Sequence, residues 1–143
     1  MKRYLITFLL TLCTSAVWAN DYFLKIDGID GESTRENFEK WIDINAFSWG
    51  VVNPAASPSG GGAGKASFSD LSWSQMVDKS VVPIFLGVAS GKHYKDATLS
   101  VVGSGETQRP FFQMVFKDAQ LTSLQTSGGG DALQAMASLA ASS

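Results

Sequence analysis

Hydrophobic and polar positions divide the chain into short alternating runs, with one stretch of helical spacing between them. From Val81, apolar residues recur at Ile84, Phe85, Val88 and Ala89, the i, i+3, i+4, i+7, i+8 pattern of a buried helical stripe. A single helix over residues 80–90 is predicted. Asp78 or Ser80 supplies an oxygen for its first free N–H groups, and Pro83 is tolerated because the first turn has spare donors. Gly91 stands where a left-handed C-terminal cap is cheap. A helix this short has no core of its own, so the strands around it must supply the surface it buries.

The rest reads as β-structure. Residues 22–27 form a first strand, ended by a turn at Gly28 and Gly31. Residues 32–39 are polar and are expected to make a surface connection. Residues 40–52 form a long β-type run, with Gly50 marking a bulge or close backbone approach. Residues 66–77 form a strand with a bulge near Asp70. Residues 97–102 place Ala97, Leu99 and Val101 on one face. In residues 110–117, Phe112, Met114 and Phe116 face one way, and Phe111 and Val115 the other. Both faces of that strand are therefore expected to be covered, by a second sheet, the helix or a neighbouring subunit. Residues 119–126 form another strand, and 127–130 a glycine-rich turn. Short strands, frequent turns and one helix indicate a mainly β, antiparallel barrel or sandwich.

Two stretches stand apart. Residues 53–65 hold Asn53, Pro54, Pro58, Gly60, Gly61, Gly62, Gly64 and Lys65. Proline blocks ladder pairing and glycine leaves nothing to pack, so a long flexible loop is expected. Loops of this length inside a compact domain usually have a function or no order. At the other end, residues 131–143 fit an incomplete final strand or tail, or a weak helix, since Ala and Leu favour that state.

Composition changes the picture at the N-terminus. Lys2 and Arg3 precede an apolar block over residues 5–12, and Val17, Trp18 and Ala19 follow with small residues where a signal peptidase reads. Residues 1–19 read as a Sec-type signal peptide, cleaved between Ala19 and Asn20. The remaining domain, 20–143, is then secreted or periplasmic, and no later apolar run approaches the ~20 residues of a membrane span. Removing the leader takes away Cys13, the sole cysteine, and with it thiol catalysis, disulfides and cysteine–zinc sites. Nine basic residues remain against thirteen acidic, a net charge of −4. Such a chain has no electrostatic footprint for nucleic acid.

Several short motifs, in order, carry a family resemblance. Gly64-Lys65, Asp70-Leu71-Ser72, Asp78-Lys79-Ser80, Gly91-Lys92-His93 and Ala97-x-Leu99 resemble the central signature of the Hcp family, the haemolysin-coregulated tube proteins of type VI secretion. Residues 25–33 (KIDGIDGES) resemble its opening strand and turn. Phe47-Ser48-Trp49-Gly50 resembles its Trp-Ser-Trp-Gly motif, with Phe in the first place. The resemblance implies a barrel of two sheets with a helix packed outside, six copies joined in a ring, and rings stacked into a tube that carries cargo in its bore. Spike and effector proteins of the type VI system are the further partners it implies. Carried onto this chain, residues 53–65 become the ring-stacking loop and Ser48 a bore-facing cargo contact. Family members act from the cytoplasm through their own machine, so the leader implies a relative exported by another route.

Enzymatic chemistry is thin. His93 is the only histidine and follows the helix stop, where a capping or surface role is expected. No Gly-x-Ser-x-Gly elbow occurs. Asp27, Asp30 and Glu32 lack the order of an EF-hand loop. GGGAGK (residues 60–65) is followed by Ala66 and a strand, where a phosphate loop needs Ser or Thr and a helix. No enzyme activity and no cofactor is expected. The alternative is a secreted monomeric module binding glycans through Trp41, Trp49 and Trp73, residues that in a barrel usually fill the core.

Overall fold

The computed structural model describes residues 19–54, 64–104 and 109–141. Nine strands and one helix follow in order: β1 (Asp21–Ile26), β2 (Ile42–Ile44), β3 (Ala46–Ser48), β4 (Val51–Val52), β5 (Ser67–Phe68), β6 (Leu71–Met76), α1 (Val81–Ser90), β7 (His93–Val102), β8 (Pro110–Gly129) and β9 (Ala132–Ala141). Seven of them form one sheet in the order β2-β1-β7-β8-β9-β6-β3, and β4 and β5 pair separately. Every pairing is antiparallel.

The two ends of the large sheet belong to one stretch of chain. β2 pairs with β1, with Tyr22 opposite Ile44, and β3 pairs with β6, with Ala46 opposite Ser74. Asn45 lies between them and donates its N–H to the Ser74 carbonyl oxygen at 2.7 Å. The sheet thus closes on itself through the run 42–48, which removes most of its edges. Long β8 divides it into two halves. Residues 110–120 pair with β7, and residues 119–129 with β9. Sequence reading separates these into two strands at Asp118. The chain instead continues through Asp118 with a positive φ of 47°, so the expected break is a bend.

Inward-facing side chains fill the barrel. Leu24, Ile26, Ile42, Leu71, Leu99, Leu121 and Leu139 are fully buried there, with Trp73, Phe116 and Ile84. A second, smaller cluster lies outside β1 and β7. Phe23 stacks on Phe38 with ring centroids 4.5 Å apart, and Trp41 meets Phe38 edge-on at 5.1 Å. The connection 32–39 is therefore more than a surface segment. Its charged residues surround Phe38, which is 4% exposed, and its backbone is tied down by Gly31 N–H to Lys40 O and Ser33 N–H to Trp41 O.

The helix keeps its predicted limits but buries a narrower stripe. Ile84 and Gly87 are buried and Val88 packs partly on the core, while Phe85 is 58% exposed and Ala89 is exposed. The cause is Gly87. A Cβ there would stand 2.2 Å from the Tyr94 hydroxyl and 2.9 Å from Leu121 Cδ1. The helix axis comes so close to the barrel along the Ile84–Gly87–Val88 line that Phe85 is turned to solvent. At the N-terminus Asp78 acts first. Its carboxylate accepts the Ser80 N–H at 2.9 Å and the Ser80 hydroxyl, whereas Ser80 makes no capping bond with its own side chain. Gly91 ends the helix with φ 63°, as expected, and the N–H groups of Gly91 and Lys92 close on Val88 O and Gly87 O.

Residues 132–141 are a strand rather than a helix. Helix propensity is overridden because β9 has partners on both sides, β8 and β6. The run 40–52 breaks into three short strands, and 66–77 divides at Ser69 and Asp70, close to the predicted bulge.

Candidate functional site

Alternation along four neighbouring strands builds a surface without charge. The outward positions are Ala46 and Ser48 on β3, Ser72, Ser74 and Met76 on β6, Gln134, Met136 and Ser138 on β9, and Ser123, Gln125 and Ser127 on β8. None is ionisable, and all are exposed or half-buried. Ser48 stands opposite Ser72, which stands opposite Ser138, so serines form a row across three strands. A shallow groove of about 370 Å³ runs over this face, between Ser48, Ser72, Ser74, Ser123, Gln125 and Met136. At one edge, β8 bulges between Leu121 and Ser123, and both Thr122 and Ser123 reach the Ser138 hydroxyl, at 2.7 and 2.6 Å. Thr122 also donates to Asp70 at 2.7 Å, which places that carboxylate at the margin of the face.

A second surface lies at the base of the loop. β4 and β5 form a separate hairpin stem that carries Val51, Val52 and Phe68 in solvent. Trp49 stacks on Phe68 at 6.1 Å and meets Phe116 edge-on at 6.4 Å. Of the predicted loop residues, Asn53, Pro54, Gly64 and Lys65 are described, and a Cβ on Gly64 would lie 2.6 Å from the Pro54 carbonyl oxygen. The two arms of the loop therefore still touch beyond the stem. Pro58, Gly60, Gly61 and Gly62 lie outside the described residues, as do residues 1–18 of the predicted leader. Ala19 and Asn20 are exposed just ahead of β1.

The three tryptophans do not share a face. Trp73 is 3% exposed in the core, Trp41 packs in the outer cluster, and Trp49 stands at the loop stem. They form no common platform for a sugar. On the outward face of β8 near its start, neither a second sheet nor the helix supplies the expected cover. Phe111 and Val115 are 66% and 51% exposed in the single chain.

Polar groups elsewhere are engaged locally. Asp30 pairs with Lys25 at 3.0 Å, and this bond and charge hold its carboxyl below the ordinary value. Glu32 accepts the Lys79 N–H. His93, exposed at the start of β7, lies with Nδ1 3.0 Å from Asp118 Oδ1. A buried network, not visible as a motif, joins the core to the helix entry. Trp73 donates its indole N–H to Gln75 Oε1 at 2.8 Å, and Gln75 Nε2 donates to Asp78 and Ser80 at 3.0 and 2.9 Å. Only the inward register of Gln75 among apolar Trp73 and Leu71 hinted at it.

Residues 23–142 match the family model for the type VI secretion system effector, Hcp. The chain belongs to the Hcp family. It is similar to Protein hcp1 of Pseudomonas aeruginosa, at 36% identity over 78% of this chain and 71% of that protein. Among solved structures, a type six secretion system protein matches with a TM-score of 0.79 and 28% identity, over 86% of this chain and 80% of that one. Hcp1 from Salmonella typhimurium matches with a TM-score of 0.72 and 27% identity, over 86% and 81%. The Hcp fold accounts for the closed sheet with its external helix, and membership favours a structural protein over a glycan-binding module.

Proposed function

We propose that this Hcp protein is a ring-forming structural subunit of a type VI secretion tube. The observation that carries this reading is the uncharged four-strand face. A barrel normally directs charged side chains to water on its outer strands, yet eleven outward positions here hold only Ser, Gln, Ala and Met. Such a surface suits the wall of a bore, where single-sign charge would trap or repel a passing polypeptide. Ser48 lies in that wall as a cargo contact. Six copies form the ring, residues 53–65 reach the next ring, and spike and effector proteins are the partners in the machine. Its role is mechanical rather than catalytic, without a cofactor. Residues 1–19 act as a leader, cleaved after Ala19, that takes the protein to the periplasm or beyond by a route other than the family's own machine; mass spectrometry of its N-terminus from those fractions tests this step, and an intact Met1 on cytoplasmic protein overturns the leader and keeps the subunit in the cytoplasmic machine.

The ring is tested on the mature chain, residues 20–143, by light scattering and by labelling of Ser48→Cys, then the sole thiol. Assembled particles should have six-fold mass. A small maleimide should react at position 48, and a maleimide on a polymer too large for the bore should not. A monomer at every concentration, or equal reaction with both reagents in assembled particles, overturns the proposal.

A further inference from the structure

At the edge of the uncharged face, the bulge in β8 lets two successive hydroxyls, Thr122 and Ser123, reach one partner. Bulges re-aim side chains and recur beside functional sites. The shared partner is Ser138, half-buried on β9 and flanked on both sides, opposite Ser72 and Ser123. Thr122 in turn lies 2.7 Å from Asp70 Oδ2. These four groups form a chain with one possible order of protons. A carboxylate only accepts, and each hydroxyl has a single proton to give. Thr122 gives its proton to Asp70, so Ser138 must give its own to Thr122, and Ser123 must give its own to Ser138. Ser123 Oγ ends the chain at the lining of the groove, and no bond from another described residue reaches it.

We propose that Ser123 is a binding site for a cationic N–H donor, a lysine ammonium or arginine guanidinium of a passing polypeptide, and that Thr122 and Asp70 are positioning residues that fix its polarity. The proposal rests on the reading of this face as a wall that a polypeptide passes. A free hydroxyl rotates to donate or accept as its partner requires, so a row of serines alone has no preference. Here the proton order removes that choice, and toward the groove Ser123 can only accept. Chains of hydrogen bonds polarise along their length, so the Asp70 charge reaches Ser123 as added electron density on its oxygen. A cation gains from that density, whereas a carboxylate meets an oxygen with no proton to offer. No ionisable side chain among the outward positions of the face competes for the cation. Asp70 itself stays at the margin, so the hold is a single hydrogen bond, enough to orient a chain and easily released.

The test uses the mature chain, residues 20–143, and two end-blocked peptides of glycine and serine, one with a central lysine and one with a central glutamate. Amide shifts in isotope-labelled protein report both the site and the affinity. The lysine peptide should bind about fivefold or more tightly than the glutamate peptide, the scale of one hydrogen bond to a charged group, and should move the amides of Ser123 and Ser138. Thr122→Val keeps every charge but cuts the chain, so Ser123 can donate again and the ratio should fall toward one. Thr122→Ser restores the hydroxyl and with it the ratio. Equal binding, no binding, or a preference that survives Thr122→Val, as general attraction to a net charge of −4 would, overturns the site and leaves the wall reading standing. A lysine preference that Thr122→Val abolishes, on a chain that never forms rings, supports the site and removes the ring. Ser123→Ala should also lose the preference, and it decides the matter if Thr122→Val fails to fold.

Discussion

Asn45 and Ser74 are joined by one backbone hydrogen bond of 2.7 Å, at the point where the two ends of the sheet meet. On either side of it the chain changes partner, from β1 at Ile44 to β6 at Ala46. Asn45→Pro removes the donor and leaves the Ser74 carbonyl unmatched, at a cost of about 1–3 kcal/mol. Asn45→Ala keeps the N–H at an exposed position and should stay within about 0.5 kcal/mol of wild type. Urea midpoints with unchanged slope measure both. Equal midpoints for the two variants would mean that closure does not depend on this bond.

Gly87 sets the distance between helix and barrel. Helix propensity alone favours alanine there by about 1 kcal/mol, so a net loss has to come from the contact with Tyr94 and Leu121. Gly87→Ala is expected to destabilise by about 1–3 kcal/mol, the usual cost of overpacking. In a Tyr94→Phe background the hydroxyl is gone and the cost should fall. Thermal unfolding of the four proteins in this cycle gives the coupling; additive effects would place the strain elsewhere.

Gln75 holds three polar groups at 1% exposure. Gln75→Leu keeps the bulk but strands the Trp73 indole N–H and leaves Asp78 and Ser80 without their donor. The expected loss is roughly 1–3 kcal/mol for each buried group left without a partner, together with a shifted Trp73 emission. Unchanged emission and stability would show that water replaces the glutamine freely.

Acid titration should separate two aspartates. Desolvation raises the Asp43 carboxyl above its ordinary value, against a hydrogen bond from Ser33 and with repulsion from Asp78 and Asp21. A folded pKa above the unfolded one means that the folded state binds the proton more tightly. Ionised Asp43 therefore costs stability at neutral pH, and the cost disappears as pH falls below the unfolded value. Asp43→Asn should be more stable than wild type at pH 7, with the advantage vanishing in acid. Asp30 has the opposite sign. Lys25 lowers its pKa, so its stabilisation is present above the unfolded value and is lost as pH falls through the folded one. Denaturant midpoints of Asp43→Asn and Asp30→Asn between pH 3 and 7 check both directions.

Local rules were enough for the helix limits, the Gly91 stop, the first strand and the β class, because each depends on the spacing of apolar residues or on a single special residue. The short motifs were enough for the family. What no window of sequence contains is the distance between segments. It turned Phe85 outward, since Gly87 brings the helix close on a narrower line than its pattern suggests. It made residues 132–141 a strand, since two partners outweigh the helix preference of Ala and Leu. It buried Phe38, whose neighbours in sequence are polar but whose neighbours in space are Phe23, Trp41 and Val102, and it buried Gln75, whose partners Asp78 and Ser80 come from the helix entry. Ser48 could be picked out from its motif, but the uncharged face around it is drawn from four strands, two of them more than 70 residues further along the chain. Charge neutrality of a surface is a property of register between strands, and register is fixed only when the sheet closes.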